Sequence, residues 1–434
     1  MELSSHAVSA SEPSTQRLEL PVEVWERIID IVATESKRGD NNNWTSHPGW
    51  GTLIACTLVC KSWYHRSWFH LHWQISVRSR EQVVALSRLI RAEPHLREAV
   101  QRIAIAGGLD QDQRRLPIPH MATFVAMLAC KLPNVKELIV RHAEWRVADI
   151  QPKSLSYVPH AFQSVASLKL VNVTFASAML FGRLVSALPA LTWMHCVVVR
   201  CTQDEPGPVD ILSPLPRTSR ELSALALCEP IDPAIQAFLI RCAEEDGCQL
   251  QFLSLEMDIP SPFTLASKKG QHLLDSSRAH LRFFVLTLYM GDVSPDVQKA
   301  ALEPHINLAR ALKLERLTVE CSCPIDPDFS WISTIASSIV SDVMHEEDPL
   351  RRLEILLARL DQHADLTLLD GVLAGKQFAN IRARGVGVFL DLSPELRALQ
   401  PAAVGRLEEQ WQEQVKRKMP RLNERGMLRA FVWT

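Results

Sequence analysis

Between Val100 and Leu350 the apolar residues keep returning in one six-residue frame, with apolar side chains at its first, fourth and sixth places. The frame opens at Val100 (VQRIAI), Val135 (VKELIV), Val165 (VASLKL), Leu191 (LTWMHC), Leu222 (LSALAL), Leu250 (LQFLSL), Leu281 (LRFFVL), Leu314 (LERLTV) and Leu350 (LRRLEI). Successive frames lie 26 to 36 residues apart, the spacing of a solenoid. Alternation within each frame predicts a short strand. The segments between frames switch to helical periodicity, as in MATFVAMLACKL, AMLFGRLVSAL, DPAIQAFLIRCAEE and SWISTIASSIVSDVM. One strand and one helix cannot hide their own apolar face, whereas stacked copies can. The prediction for residues 74–434 is therefore an α/β solenoid with a parallel inner sheet and outer helices. An earlier strand is expected in WQISV, Trp73 to Val77, ahead of the helical EQVVALSRLIRA. LRAFVW, opening at Leu428, reads as a late isolated copy, and Leu360 to Pro420 keeps β/α character (VGVFL, then ELRALQPAAVGRLEEQWQEQVKRK) without a clear register.

The front of the chain has a different pattern. Residues 1–17, MELSSHAVSASEPSTQR, are Ser-rich with few large apolar groups. They cannot bury enough surface to offset ordering entropy, so a disordered tail is predicted. Residues 18–73 read as a small helical domain. Pro21 suits a first helical turn, and Glu23 places negative charge at the positive helix end. Val24, Ile28 and Val32 recur at i, i+4 and i+8, with Trp25 and Ile29 widening the stripe. Thr34 to Thr52 reads as a long Gly/Asn/Pro-rich loop carrying Trp44 and Trp50. Leu53 to Trp68 reads as one or two short helices with Leu53, Cys56, Val59, Cys60 and Trp63 inward.

Composition narrows the function classes. The chain has 434 residues, 47% of them apolar, which is ample for a large core. A net charge of −2 offers no strong field to recruit nucleic acid or an anionic membrane. No apolar run approaches the roughly 18–20 residues of a membrane helix, and no apolar leader segment is visible near Met1. Ten cysteines are scattered without a C-x-x-C. The expectation is free, buried thiols and a location in cytoplasm, nucleus or both.

Leu53 to Trp73, LIACTLVCKSWYHRSWFHLHW, raises the question of chemistry. His65, His70 and His72 with Cys56 and Cys60 would supply zinc-type donors, but the spacing lacks the tight pairs of zinc motifs. Both cysteines also fall on the apolar stripe, where burial explains them. No G-x-S-x-G, P-loop, G-x-G-x-x-G or H-E-x-x-H occurs. The expectation is a protein without metal, cofactor or catalytic residues.

Two blocks carry a resemblance. LELPVEVWERIIDIVA followed by LIACTLVCKSW resembles the F-box motif in the form common in fungal F-box proteins. The matching residues are Leu20, Pro21, Val24, Ile28 and Ile29, then Leu58, Val59, Cys60 and Trp63. The frames behind them resemble degenerate leucine-rich repeats. They depart from that pattern at the ninth place, where Gly108, Ala143, Val173, Val199, Pro230, Asp258, Tyr289, Ser322 and Ala358 stand instead of an Asn or Cys ladder. The resemblance implies a substrate-recognition subunit of a cullin-RING ubiquitin ligase that makes no bond itself. Leu20, Pro21, Val24, Ile28, Leu58, Val59 and Trp63 would meet a Skp-type adaptor, with Trp63 partly in the core. A protein substrate would lie on the repeats. The alternative is a leucine-rich-repeat scaffold that does not assemble into a ligase. Trp193, Phe252 and Phe283 share the third place of their frames, with Ala224 interrupting the series. They read either as a ligand platform or as side chains buried against a neighbouring loop or helix. Lys136, Lys169, Arg282, Arg316 and Arg352 read as a solvated rim.

Overall fold

The computed structural model describes residues 21–38, 48–128, 130–146, 158–202, 222–244, 249–259, 263–290, 308, 313–321, 352–357, 366–375, 385–391 and 401–433. The chain divides into two compact units, residues 1–74 and 75–434. The predicted tail, Leu20, Trp44 and the helical SWISTIASSIVSDVM lie outside the described residues.

Among its described residues the first unit holds three helices: α1 (Val22–Arg38), α2 (Pro48–Thr57) and α3 (Lys61–Leu71). Both helices flanking the expected loop reach into it, so it is shorter than Thr34 to Thr52. Ile29, Ala33, Leu53 and Leu71 form a small core, with Val32, Trp50, Cys56, Trp63 and Trp68 packed round it. Trp25 lays its ring 4.8 Å from that of Trp63. One stripe of a short helix is all that so small a core can absorb. In α1 the bulkier Trp25–Ile29–Ala33 line takes that place, and Val24 and Ile28 are left exposed. Val59 and Cys60 are also exposed, against the helical reading. They follow the end of α2, where Cys60 is fully extended (φ −160°, ψ 169°), so the 3.6-residue period breaks there.

The second unit is α/β and solenoid-like. Its sheet has thirteen strands: β1 (Gln74–Val77), β2 (Arg102–Ala106), β3 (Leu116–Pro117), β4 (Glu137–Trp145), β5 (Ser167–Phe175), β6 (Trp193–Cys201), β7 (Ala224–Ile231), β8 (Phe252–Ile259), β9 (Phe283–Met290), β10 (Arg316–Cys321), β11 (Arg352–Leu357), β12 (Val386–Asp391) and β13 (Leu428–Trp433). The strands run in chain order across the sheet, except that β3 adds to β4. Pairing from β2 to β13 is parallel throughout.

Places four and six of each frame point to one face. Leu138, Leu168, Met194, Leu225, Leu253, Phe284 and Leu317 stand in one register row, buried, with Val140, Leu170, Cys196, Leu227, Leu255, Leu286 and Val319 in the next. They share one continuous core with the connecting helices, among them α4 (Arg80–Ala92), α6 (His120–Leu128), α7 (Val158–Ala161), α8 (Ala178–Ser186) and α9 (Pro233–Glu244), while α5 (Leu96–Ala99) is a single short turn before β2. Later helices are α10 (Phe263–Ser277), α11 (Leu366–Leu373), α12 (Pro401–Lys418) and α13 (Pro420–Glu424).

β4, β5 and β6 carry one left-handed residue each: His142 (φ 48°), Asn172 (φ 56°) and Val198 (φ 53°). The ladder skips all three, pairing Arg141 with Val171 and then Ala143 with Val173. Each is a left-handed kink at the eighth place, shared in register by the three strands, and it shifts the alternation by one residue. Ala143, Val173 and Val199 therefore turn inward, followed by Trp145 and Phe175 stacked at 5.5 Å. The missing ninth-place ladder is replaced by side chains one place earlier: Asn172 Nδ2 donates to His142 Nδ1 at 3.1 Å, and Arg115 Nε donates to Asn172 Oδ1 at 2.7 Å.

Two registers differ from expectation. Val386 aligns with Leu353, so β12 is a full member of the stack. Leu428 aligns with Val386, placing it fourth in its frame rather than first, and Phe431 is exposed. The last strand is thus no isolated copy. Its frame opens at Arg425, a polar residue that hides the pattern.

Candidate functional site

Two surfaces stand out, one in each unit. On the first unit Val24, Ile28 and Ile31 recur at i, i+4 and i+7 along α1 and are all exposed. Ile54 on α2 is exposed too, and beyond its end Leu58 is 83% exposed and Val59 60%. Scattered apolar surface residues need no explanation. Six large aliphatic side chains outside so small a core make an apolar surface of the kind that marks interaction sites. Pro21 is exposed at the mouth of α1, its carbonyl accepting the Val24 N–H at 3.0 Å. Trp63 is half-buried against Trp25 and belongs largely to the core.

The helices of this unit are tied by polar contacts that sequence spacing does not reveal. Arg66 donates from Nε and Nη2 to the two oxygens of Asp30, at 2.8 and 2.6 Å. His70 Nε2 donates to the same carboxylate at 2.8 Å. Arg66 and then His70 hold the Asp30 carboxyl down at about 2 despite the opposing effect of burial. The other histidines of the stretch do not converge: His72 Nδ1 donates to the Trp68 carbonyl at 2.9 Å, and His65 is exposed. Among the described residues no group of three His, Cys, Asp or Glu is placed to hold a metal ion.

In the second unit the outward sheet face carries the third-place residues. Register places Ser167, Trp193, Ala224, Phe252, Phe283, Arg316 and Arg352 in one row across β5 to β11. Trp193 meets His195 edge-on at 5.5 Å. It lies two strands from Phe252, roughly 10 Å at the usual strand spacing. The three aromatic rings are thus not brought together. Phe252 and Phe283 are adjacent, half-buried, and line a hollow of about 370 Å³ with Arg316, Thr318, Glu320 and Glu354.

That hollow is polar at its far wall. Arg316 Nε donates to Glu354 Oε2 at 2.9 Å, and Thr318 Oγ1 donates to the same oxygen at 3.3 Å. Thr287 Oγ1 donates to Glu320 Oε2 at 2.9 Å. Arg282 lies 5.7 Å over the Phe283 ring while its Nε and Nη2 reach Glu315 at 2.8 and 2.6 Å. Arg282 and Arg316 are therefore held in ion pairs while their side chains stay more than a third exposed.

One pairing of catalytic type also appears: His195 Nε2 lies 3.3 Å from Cys228 Sγ. Burial, then Glu256, pushes that thiol up, as burial does Cys196 and Cys201, each to about 12. A nucleophilic cysteine needs the thiolate near neutral pH, so Cys228 is held in its unreactive form. Cys56, Cys60, Cys130, Cys196, Cys201, Cys228 and Cys242 are free thiols. No described helix is long and apolar enough to cross a membrane. Comparison with known proteins finds no family model that matches the chain and no curated protein similar to it in sequence.

Proposed function

We propose that the chain is a non-catalytic recognition subunit of a cullin-RING ubiquitin ligase, docking through its three-helix unit on a Skp-type adaptor. The observation that carries this is the exposed apolar surface of Val24, Ile28, Ile31, Ile54, Leu58 and Val59 on a unit that keeps its own core. It includes four of the positions assigned to the adaptor by resemblance to the F-box motif. Aliphatic anchors of this kind dominate protein interfaces. The stack behind, read as degenerate leucine-rich repeats, would hold a protein substrate on its outward sheet face, with Phe252 and Phe283 as the apolar wall. The subunit contributes proximity, raising the effective concentration of substrate near the charged conjugating enzyme.

The test is co-expression with a Skp-type adaptor and gel filtration. A 1:1 complex is expected. Leu58→Asp with Ile28→Asp should weaken it at least ~30-fold, the effect of losing a central anchor, while the far-ultraviolet circular dichroism stays unchanged because both side chains lie outside the core. A wild-type chain that folds yet never co-elutes with the adaptor would favour the scaffold alternative.

A further inference from the structure

The outward face of β4 to β6 gathers positive charge, and among the described residues Arg115 and Arg200 on it form no ion pair with a carboxylate. Arg115, entering β3, crosses β4 and donates from Nε to Asn172 Oδ1 at 2.7 Å and from Nη1 to Thr174 Oγ1 on β5. Thr174 is the register partner of Arg200 on β6, an exposed arginine. Asn172 in turn donates to His142 on β4. Next to His142 in the chain, Arg141 is 7% exposed and points an Nη2 toward Ser76 Oγ at 3.5 Å. Arg78 follows β1 and lies near enough to act on both Arg141 and His142.

Among the described residues the charges that act on this cluster are positive. Burial and then the positive charges of Arg141, Arg115 and Arg78 hold His142 below its ordinary value. Burial and Arg200 lower Arg115 in the same way. Of the carboxylates in the same strands, Glu137 is bound by Arg102 and Glu144 by Arg146. Among the described residues no carboxylate forms an ion pair with Arg78, Arg115 or Arg200. Partly buried guanidiniums cost free energy unless a counter-charge completes them. Arg115 is moreover fixed in place by two neutral acceptors, which leaves its remaining N–H donors pre-aimed.

We propose that Arg115, Arg200 and His142, in the added field of Arg78 and Arg141, form a binding site for a phosphate monoester group. A carboxylate can satisfy one guanidinium fork; a phosphate dianion offers three terminal oxygens and serves two forks and an imidazole at once. This inference stands apart from the adaptor reading, since it uses neither the first unit nor any partner of it.

The test uses the full chain and two probes: phenyl phosphate as a free monoester, and a phosphoserine peptide with neutral flanks. Acetate is the carboxylate control. Titration calorimetry should show saturable binding of at least one phosphate probe below about 1 mM, weakened about tenfold or more by Arg200→Gln. The His142 imidazole, followed by NMR, should titrate at higher pH when the probe is bound. Arg115→Gln also removes two structural hydrogen bonds, so the exposed Arg200→Gln and Arg78→Gln variants carry the test if it does not fold. Tighter binding of the peptide assigns the phosphate to a protein partner; equal binding assigns it to a small molecule. The proposal is overturned if neither phosphate probe binds, if acetate binds as tightly, or if Arg200→Gln binds as well as wild type.

Discussion

Asp30 and Arg66 stand 36 residues apart and meet as a two-pronged pair, with Nε and Nη2 of the arginine on the two carboxylate oxygens at 2.8 and 2.6 Å. Together with His70 they clamp α1 to α3 across a core of few buried residues. The carboxyl is depressed from 3.8 to about 2 in the folded unit. Its contribution is therefore complete above pH ~4, the unfolded value, and is lost as pH falls toward 2. The pair is about 39% exposed, so solvent screening holds its worth to about 1 kcal/mol or less. Amide exchange in α1 and α3 should be faster in Asp30→Asn than in wild type at pH 6. The two should converge near pH 2; an equal difference at both pH values would refute the assignment.

Val198 holds a left-handed backbone at φ 53°, where a β-branched residue is strained. His142 and Asn172 occupy the same place on the two preceding strands, and asparagine tolerates it. Val198→Asn should stabilise the second unit by about 1 kcal/mol, raising the urea midpoint at unchanged slope. Val198→Gly should do so as well. Destabilisation by both would mean that the side chain's packing outweighs the strain.

Gly107 closes the exit of β2 against β3 and β4. A methyl group there would sit 2.3 Å from the Leu116 carbonyl oxygen and 2.6 Å from that of His142. Both are backbone atoms, so neither can swing aside. Gly107→Ala should cost about 3 kcal/mol or more. Gly405, within α12, meets nothing within 4 Å, and Gly405→Ala should stabilise by up to about 1 kcal/mol. Thermal unfolding of the two variants should move in opposite directions.

Asp370, buried on α11, accepts the Arg421 and Leu422 N–H groups at 3.1 and 3.0 Å. It supplies the missing cap of α13, whose own N-terminal residue Met419 has no capping side chain. Asp370→Ala should destabilise by about 2 kcal/mol, and Asp370→Asn by less, because the amide keeps one acceptor oxygen. Calorimetric unfolding of both variants checks the order.

The parallel stack was legible because its signal is local. Places four and six of each frame lie two residues apart, and a strand sends such residues to one face whatever surrounds it. The frame failed where its first residue is not a large apolar one, at Ala383 and Arg425, so β12 and the register of β13 escaped. The eighth-place kink left no trace either, since His142, Asn172 and Val198 have no residue type in common. In the first unit the apolar residues of α1 form two adjoining lines. Periodicity alone cannot say which is buried; the packed unit buries Ile29 and Ala33 and leaves Val24 and Ile28 exposed.

By itself, then, the order of residues determined the element types, their repetition and the parallel α/β character, all of which rest on period and near-neighbour chemistry. Only the tertiary structure decided which apolar line of α1 meets solvent, that Asp30 finds Arg66, that Phe252 and Phe283 face a hollow, and that Arg115 reaches Asn172 from 57 residues away. Those relationships depend on how whole elements settle against one another. The burial that chooses among them is a property of the packed unit, which no short window of sequence contains.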